Sequence, residues 1–168
     1  MQADDADRHE EEGVGLALFE LAPRLTRLEN AVLRDVDPPL TFRQYRILRR
    51  VAEGRTTLTA LGKLATISLP AVSESVEGLV RKGLLHRTAD LHDRRAVQLE
   101  LTPEGEKALA RAQELLEEAA RDLLAGLMVA DQRLAFEDDL RELADRVTRA
   151  LLASRRPSSA GEQREDTT

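Results

Sequence analysis

One short run breaks the helical rhythm of this chain. From Ala96 to Leu101, the residues Val97, Leu99 and Leu101 alternate with Ala96, Gln98 and Glu100. That is the period of a half-buried strand. Elsewhere the apolar residues recur at helical spacing. Val14, Leu18, Leu21, Leu25, Leu28 and Val32 step by three and four along one seam. Pro23 lies inside it and is expected to kink the helix or weaken one turn. Asp37-Pro38-Pro39 stops it, because a residue before proline avoids helical dihedrals. A second helix starts at the N-cap Thr41, runs through Phe42, Tyr45, Ile47, Leu48 and Val51, and ends at Gly54. A short third helix covers about Leu58 to Ala65. Ser68 caps a fourth, with Pro70 in its first turn, Val72, Val76, Leu79 and Val80 as its apolar positions, and Gly83 as its terminator. A short strand over Leu85–Thr88 pairs with the alternating run and leaves Ala89–Arg95 as a protruding loop. Thr102-Pro103-Glu104 opens a long helix to about Leu127, and a last helix spans roughly Asp131–Ala153. Few aromatics and many Leu, Ala, Arg and Glu favour helices over a β-sandwich. The order predicts a winged helix-turn-helix: a mainly α chain with a small β-hairpin wing.

Composition narrows the function. The chain has 168 residues, which suits one domain. We place an acidic, disordered start at residues 1–12, a single domain at 13–153 and a flexible tail at 154–168. The absence of cysteine excludes disulfides, thiolate zinc sites and thiol redox sensing. No apolar run approaches the ~20 residues of a membrane span, and the acidic N-terminus is unlike a signal peptide. A cytoplasmic protein without a membrane partner is expected. The net charge of −6 hides an asymmetry. Between Thr41 and Arg95 lie eleven Lys and Arg against five Asp and Glu; the remainder holds fourteen against twenty-six. A basic middle between acidic ends points to a polyanion partner or is an arginine-rich solvated surface.

Catalytic chemistry is not visible. The histidines are His9, His86 and His92, with no Cys or clustered carboxylates at metal spacing. There is no GxSxG nucleophile elbow and no GxxxxGK[ST] phosphate loop. Asp138-Asp139 reads as a solvated helix face. No enzyme, metal or cofactor is expected.

The stretch Leu58–Gly83, LTALGKLATISLPAVSESVEGLVRKG, resembles the helix-turn-helix of the MarR (multiple antibiotic resistance regulator) transcription factors. The likeness continues through GLLHR and DLHDRRAVQLELTPEG, whose Asp93-Arg94-Arg95-Ala96 and Leu101-Thr102-Pro103-Glu104-Gly105 are its most specific part. It covers about Val14 to Ala153. It implies a winged helix-turn-helix over residues 41–101, flanked by dimerisation helices over 13–36 and 102–153. It also implies a homodimer that binds pseudo-palindromic double-stranded DNA as a repressor or activator and is often released by a small-molecule effector. Arg95, and secondarily Arg94, resemble the wing-tip arginines that enter the minor groove. Asp93 resembles the acid that holds them through a charge-assisted hydrogen bond; read alone, it is a surface ion pair worth little.

Ser68, Leu69, Pro70, Ala71, Ser73 and Glu74 occupy the start and exposed face of the recognition helix. Ser68 reads as a cap, although a helix N-terminus also receives phosphate. Ser73 suits a phosphate or base edge, and Lys63 is either a phosphate contact or a solvated charge. The chain departs from the family at Glu74 and Gly78, where basic residues are common, at Gly62 for alanine and at Thr66 for glycine. Carboxylates repel phosphates but accept a hydrogen bond from cytosine N4, so Glu74 and Glu77 shift affinity towards the wing. An effector pocket is expected between the dimerisation helices and the DNA-binding lobe. Phe19, Phe42 and Tyr45 either line it, with Arg46 or Arg24 meeting an anion, or are plain core, which helical spacing favours. The alternative function is a winged-helix interaction module or antirepressor that binds protein instead of DNA.

Overall fold

The computed structural model describes residues 3–64, 68–89, 97–127 and 132–154. Its elements follow the order α1 (Ala3–Val32), a 3₁₀ turn (Leu33–Asp35), α2 (Phe42–Ala52), α3 (Leu58–Leu64), α4 (Leu69–Arg81), β1 (Leu85–Ala89), β2 (Val97–Leu101), α5 (Pro103–Leu124) and α6 (Gln132–Ser154). The contacts divide it into two units, residues 1–123 and 124–168.

In the first unit, local chemistry sets each boundary. Helix α1 begins at Ala3, through acidic residues that the sequence alone leaves unordered. Pro23 lies inside the helix, as the seam from Val14 to Val32 predicts. At the start of α2, a capping box joins Thr41 and Gln44: the Gln44 amide donates to Thr41 Oγ1 and the Thr41 amide to Gln44 Oε1, both at 3.2 Å. A third amide, that of Phe42, donates to Asn30 Oδ1 of α1 at 3.0 Å, which docks the two helices. Gly54 follows α2 at φ +86°, a conformation other residues adopt at a cost.

Helix α4 closes in a Schellman motif. The Gly83 amide donates to Val80 O at 2.9 Å and the Leu84 amide to Leu79 O at 3.0 Å, with Gly83 at φ +71°. The chain leaves it directly into β1. Strands β1 and β2 pair antiparallel, with Leu85 opposite Leu101 and Ala89 opposite Val97. Leu99 is buried and its amide donates to Thr56 O at 2.7 Å, which fixes the hairpin to the α2–α3 turn. Val97, read as inward-facing, is instead 48% exposed, because it pairs at the end of the hairpin away from the core. Thr102 then caps α5: its Oγ1 accepts from the Gly105 amide at 2.9 Å and its hydroxyl donates to Gly83 O at 2.6 Å.

The core of this unit gathers Leu33, Val36 and Leu40 before α2, Leu48 and Leu61, then Val72, Val76 and Leu79 of α4, Leu84, Leu85 and Leu99 at the hairpin, and Ala108, Leu109 and Ala112 of α5. Truncating any one of these leucines to alanine removes about 2–5 kcal/mol of stability. The apolar seam of α1 does not join this core: Leu18, Leu21 and Leu25 are exposed. In the second unit α6 likewise buries no residue, and Leu134, Leu140, Val147 and Leu151 are exposed. No helix among the described residues is long and apolar enough to cross a membrane.

Candidate nucleic-acid interface

Helix α4 is amphipathic, and its two faces are used differently. Val72, Val76 and Leu79 turn into the core, whereas Ser68, Leu69, Pro70, Glu74, Glu77 and Arg81 are exposed and Ala71 and Ser73 are half-buried. Leu69 at the first turn is 52% exposed, an apolar side chain offered to solvent at a helix start. The six residues singled out from the sequence therefore cluster at the N-terminal end of α4. Ser68 takes the N-cap backbone conformation, but its side chain makes no capping hydrogen bond, contrary to the reading of it as a cap. An N-cap hydroxyl not engaged on its own helix is available to an external acceptor.

Neighbouring elements hold the helix from both ends. A Cβ added at Gly62 of α3 would come within 3.1 Å of Leu69 Cδ1, so glycine there lets the two helices approach closely. At the other end Lys82 Nζ donates to Pro39 O at 2.6 Å and to Gln44 Oε1 at 3.0 Å. Burial lowers the Lys82 pKa from its ordinary value. This tether was missed in the sequence, where Lys82 reads only as a cation suited to a helix C-terminus. Glu77 sits 4.0 Å from Arg87 of β1, so one of the two acids of α4 is shared with the hairpin. On the hairpin itself, Glu100 meets His86 Nε2 at 2.9 Å and accepts from Thr88 Oγ1 at 3.1 Å. Asp93, Arg94 and Arg95 lie outside the described residues, in the span 90–96 that β1 and β2 bracket. Thr66 also lies outside them. Lys63 lies on α3, with its side chain outside the description.

The expected ligand residues separate. A cleft of 610 Å³ opens between α1, α2 and α4, lined by Phe42, Arg43, Arg46, Arg50, Glu74 and Arg81 among others. Arg46 lies over the Phe42 ring at 5.7 Å. Tyr45, whose ring centroid is 6.1 Å from that of Phe42, is buried in the core and does not line the cleft. Phe19 is 78% exposed on α1, and neither it nor Arg24 belongs to the lining. Periodicity locates a helix face but not what covers it, which is why these aromatics scatter. Burial presses the Arg50 guanidinium below its ordinary pKa, and the charges of Arg46, Arg55 and Arg49 add to the effect. Burial raises the Glu29 carboxyl, with Arg46 opposing. No group of three or more His, Cys, Asp or Glu placed to hold a metal occurs among the described residues.

The chain is similar to known proteins in sequence and in fold. The model of the MarR family matches residues 39–96. The HTH-type transcriptional regulator FarR of Neisseria gonorrhoeae is 33% identical over 106 residues, covering 62% of this chain and 72% of that protein. The homoprotocatechuate degradative operon repressor of Escherichia coli is 34% identical over 87 residues, 51% of this chain and 59% of that one. Among solved structures, the transcriptional regulator BldR of Sulfolobus solfataricus superposes with a TM-score of 0.67 at 23% identity, over 82% of this chain and 96% of its own. A mutant MarR of E. coli complexed with operator DNA gives 0.63 at 23% identity, over 80% and 95%. The winged helix-turn-helix, the extent of the match to FarR and the family model together establish that this chain belongs to the MarR family of transcriptional regulators.

Proposed function

We propose that the chain acts in the cytoplasm as a homodimeric, ligand-responsive repressor of an inverted-repeat operator. The observation that carries this reading is the exposed N-terminal face of α4, held by α3 at one end and by Lys82 at the other. A rigid helix presented in this way enters a major groove with its first residues on the base edges. Leu69 and Ala71 then meet thymine methyl groups, Ser73 a phosphate or base edge, and Glu74 a cytosine N4. Arg95 and Arg94, positioned by Asp93, reach the minor groove from the wing, and Lys63 and Ser68 bind phosphates. The exposed leucines of α1 and the apolar row of α6 support dimerisation, since large apolar rows on a soluble protein mark interaction surfaces. Two recognition helices related by a two-fold axis select half-sites one helical turn apart, hence an inverted repeat. The cleft between α1, α2 and α4 is the effector site; a ligand bound more tightly in a DNA-incompetent dimer shifts the population away from the operator.

Selection of bound sequences from random duplex DNA tests this reading. An enriched inverted repeat with half-sites about 10 base pairs apart is the expected product. Enrichment of nothing above background contradicts it and favours the protein-binding reading, for which Glu74 and Glu77 on the exposed face of α4 speak.

A further inference from the structure

We propose that the α1/α2/α4 cleft takes a compact ligand carrying at least two negative charges, as paired carboxylates or a phosphate. This deepens, and rests on, the reading of the cleft as the effector site. Four arginines line it, Arg43, Arg46, Arg50 and Arg81, against one acidic residue, Glu74. Cationic residues thus outnumber acidic ones along its lining. Arg43 and Arg81 have no ion-pair partner among the described residues. Arg46 is stacked on Phe42, which gives the cleft one apolar wall beside its cationic ones. A monocarboxylate engages one guanidinium and leaves the other cations without an anion between them. A dianion engages two guanidinium forks at once, and each fork matches a pair of carboxylate or phosphate oxygens. The lowered pKa of Arg50, caused by burial and by the charges of Arg46, Arg55 and Arg49, marks the same crowding of cations. The volume of 610 Å³ suits a small molecule. Because α4 contributes both to this cleft and to the operator-facing surface, such a ligand acts directly on the recognition helix.

Three probes with one phenyl ring and different charge test this with the full chain: benzoate, phthalate and phenyl phosphate, titrated by calorimetry at pH 8. At least one dianion should bind about tenfold or more tightly than benzoate, a gap of about 1.4 kcal/mol. Whichever it is distinguishes a carboxylate from a phosphate ligand. The double variant Arg43→Gln, Arg81→Gln should shrink that gap to about threefold or less, whereas Arg121→Gln, on α5, should leave it intact. Benzoate binding as tightly as both dianions, no measurable binding of any probe, or a gap unchanged in the double variant overturns the proposal. A mobility-shift assay with the selected operator separates the two readings. Dianions that bind without releasing DNA uphold the charge inference and end the effector reading. Release by benzoate bound as tightly as the dianions does the reverse.

Discussion

At the scale of single residues, the sharpest constraint falls on Gly105. A Cβ built there would collide with the backbone carbonyl of Leu84 and press on Leu101 Cδ2 at 3.3 Å. The start of α5 therefore touches the chain that leaves α4, and Thr102 fastens the junction with hydrogen bonds to Gly83 O and from the Gly105 amide. Helix propensity alone favours alanine by about 1 kcal/mol; the steric conflict with a backbone atom outweighs it. Gly105→Ala should lose about 1–3 kcal/mol in urea unfolding, and a neutral or stabilising result would show that the junction is looser than described. In the sequence, Thr102-Pro103-Glu104-Gly105 is readable as a helix start from its residue types. The reason for glycine is not, because it depends on a carbonyl twenty-one residues earlier. Lys82 is a similar case: its acceptors, Pro39 O and Gln44 Oε1, are 43 and 38 residues away.

At the scale of elements, helix starts separate stability from recognition. Thr41 caps α2 in a reciprocal box, whereas Ser68 begins α4 with no side-chain cap. Thr41→Ala should therefore cost about 1 kcal/mol of stability and Ser68→Ala only a few tenths. Their effects on operator affinity should invert, with Ser68→Ala the weaker DNA binder. Equal stability losses in thermal unfolding would contradict the assignment of the Ser68 hydroxyl to an external partner. The limits of α4 and the hairpin were legible because Pro70, Gly83 and the alternation at Val97–Leu101 act within a few residues. The extension of α1 back to Ala3 was not legible. A polar, acidic composition weighs against helix locally.

At the scale of the molecule, the apolar rows of α1 and α6 carry the argument for a dimer. Leu140 and Val147 of α6 are each 47% exposed, on a helix that buries nothing. Introducing Leu140→Glu with Val147→Glu should convert the protein to a monomer in sedimentation while the helical circular dichroism of the first unit persists. A dimer unchanged by both carboxylates would place the interface elsewhere. The same variant should lose operator binding, since one half-site supplies only part of the affinity.

In the proposed function, α4 and the wing bind duplex DNA through its phosphates and grooves. The most direct measurement is the salt dependence of binding to the selected duplex, for the wild type and for Arg95→Glu. For the wild type, log K should fall with log salt by roughly 0.9 per phosphate contact, over several contacts. Arg95→Glu should bind more weakly to all sequences and show a shallower slope. Salt-insensitive binding, or an Arg95→Glu variant indistinguishable from wild type, would contradict it.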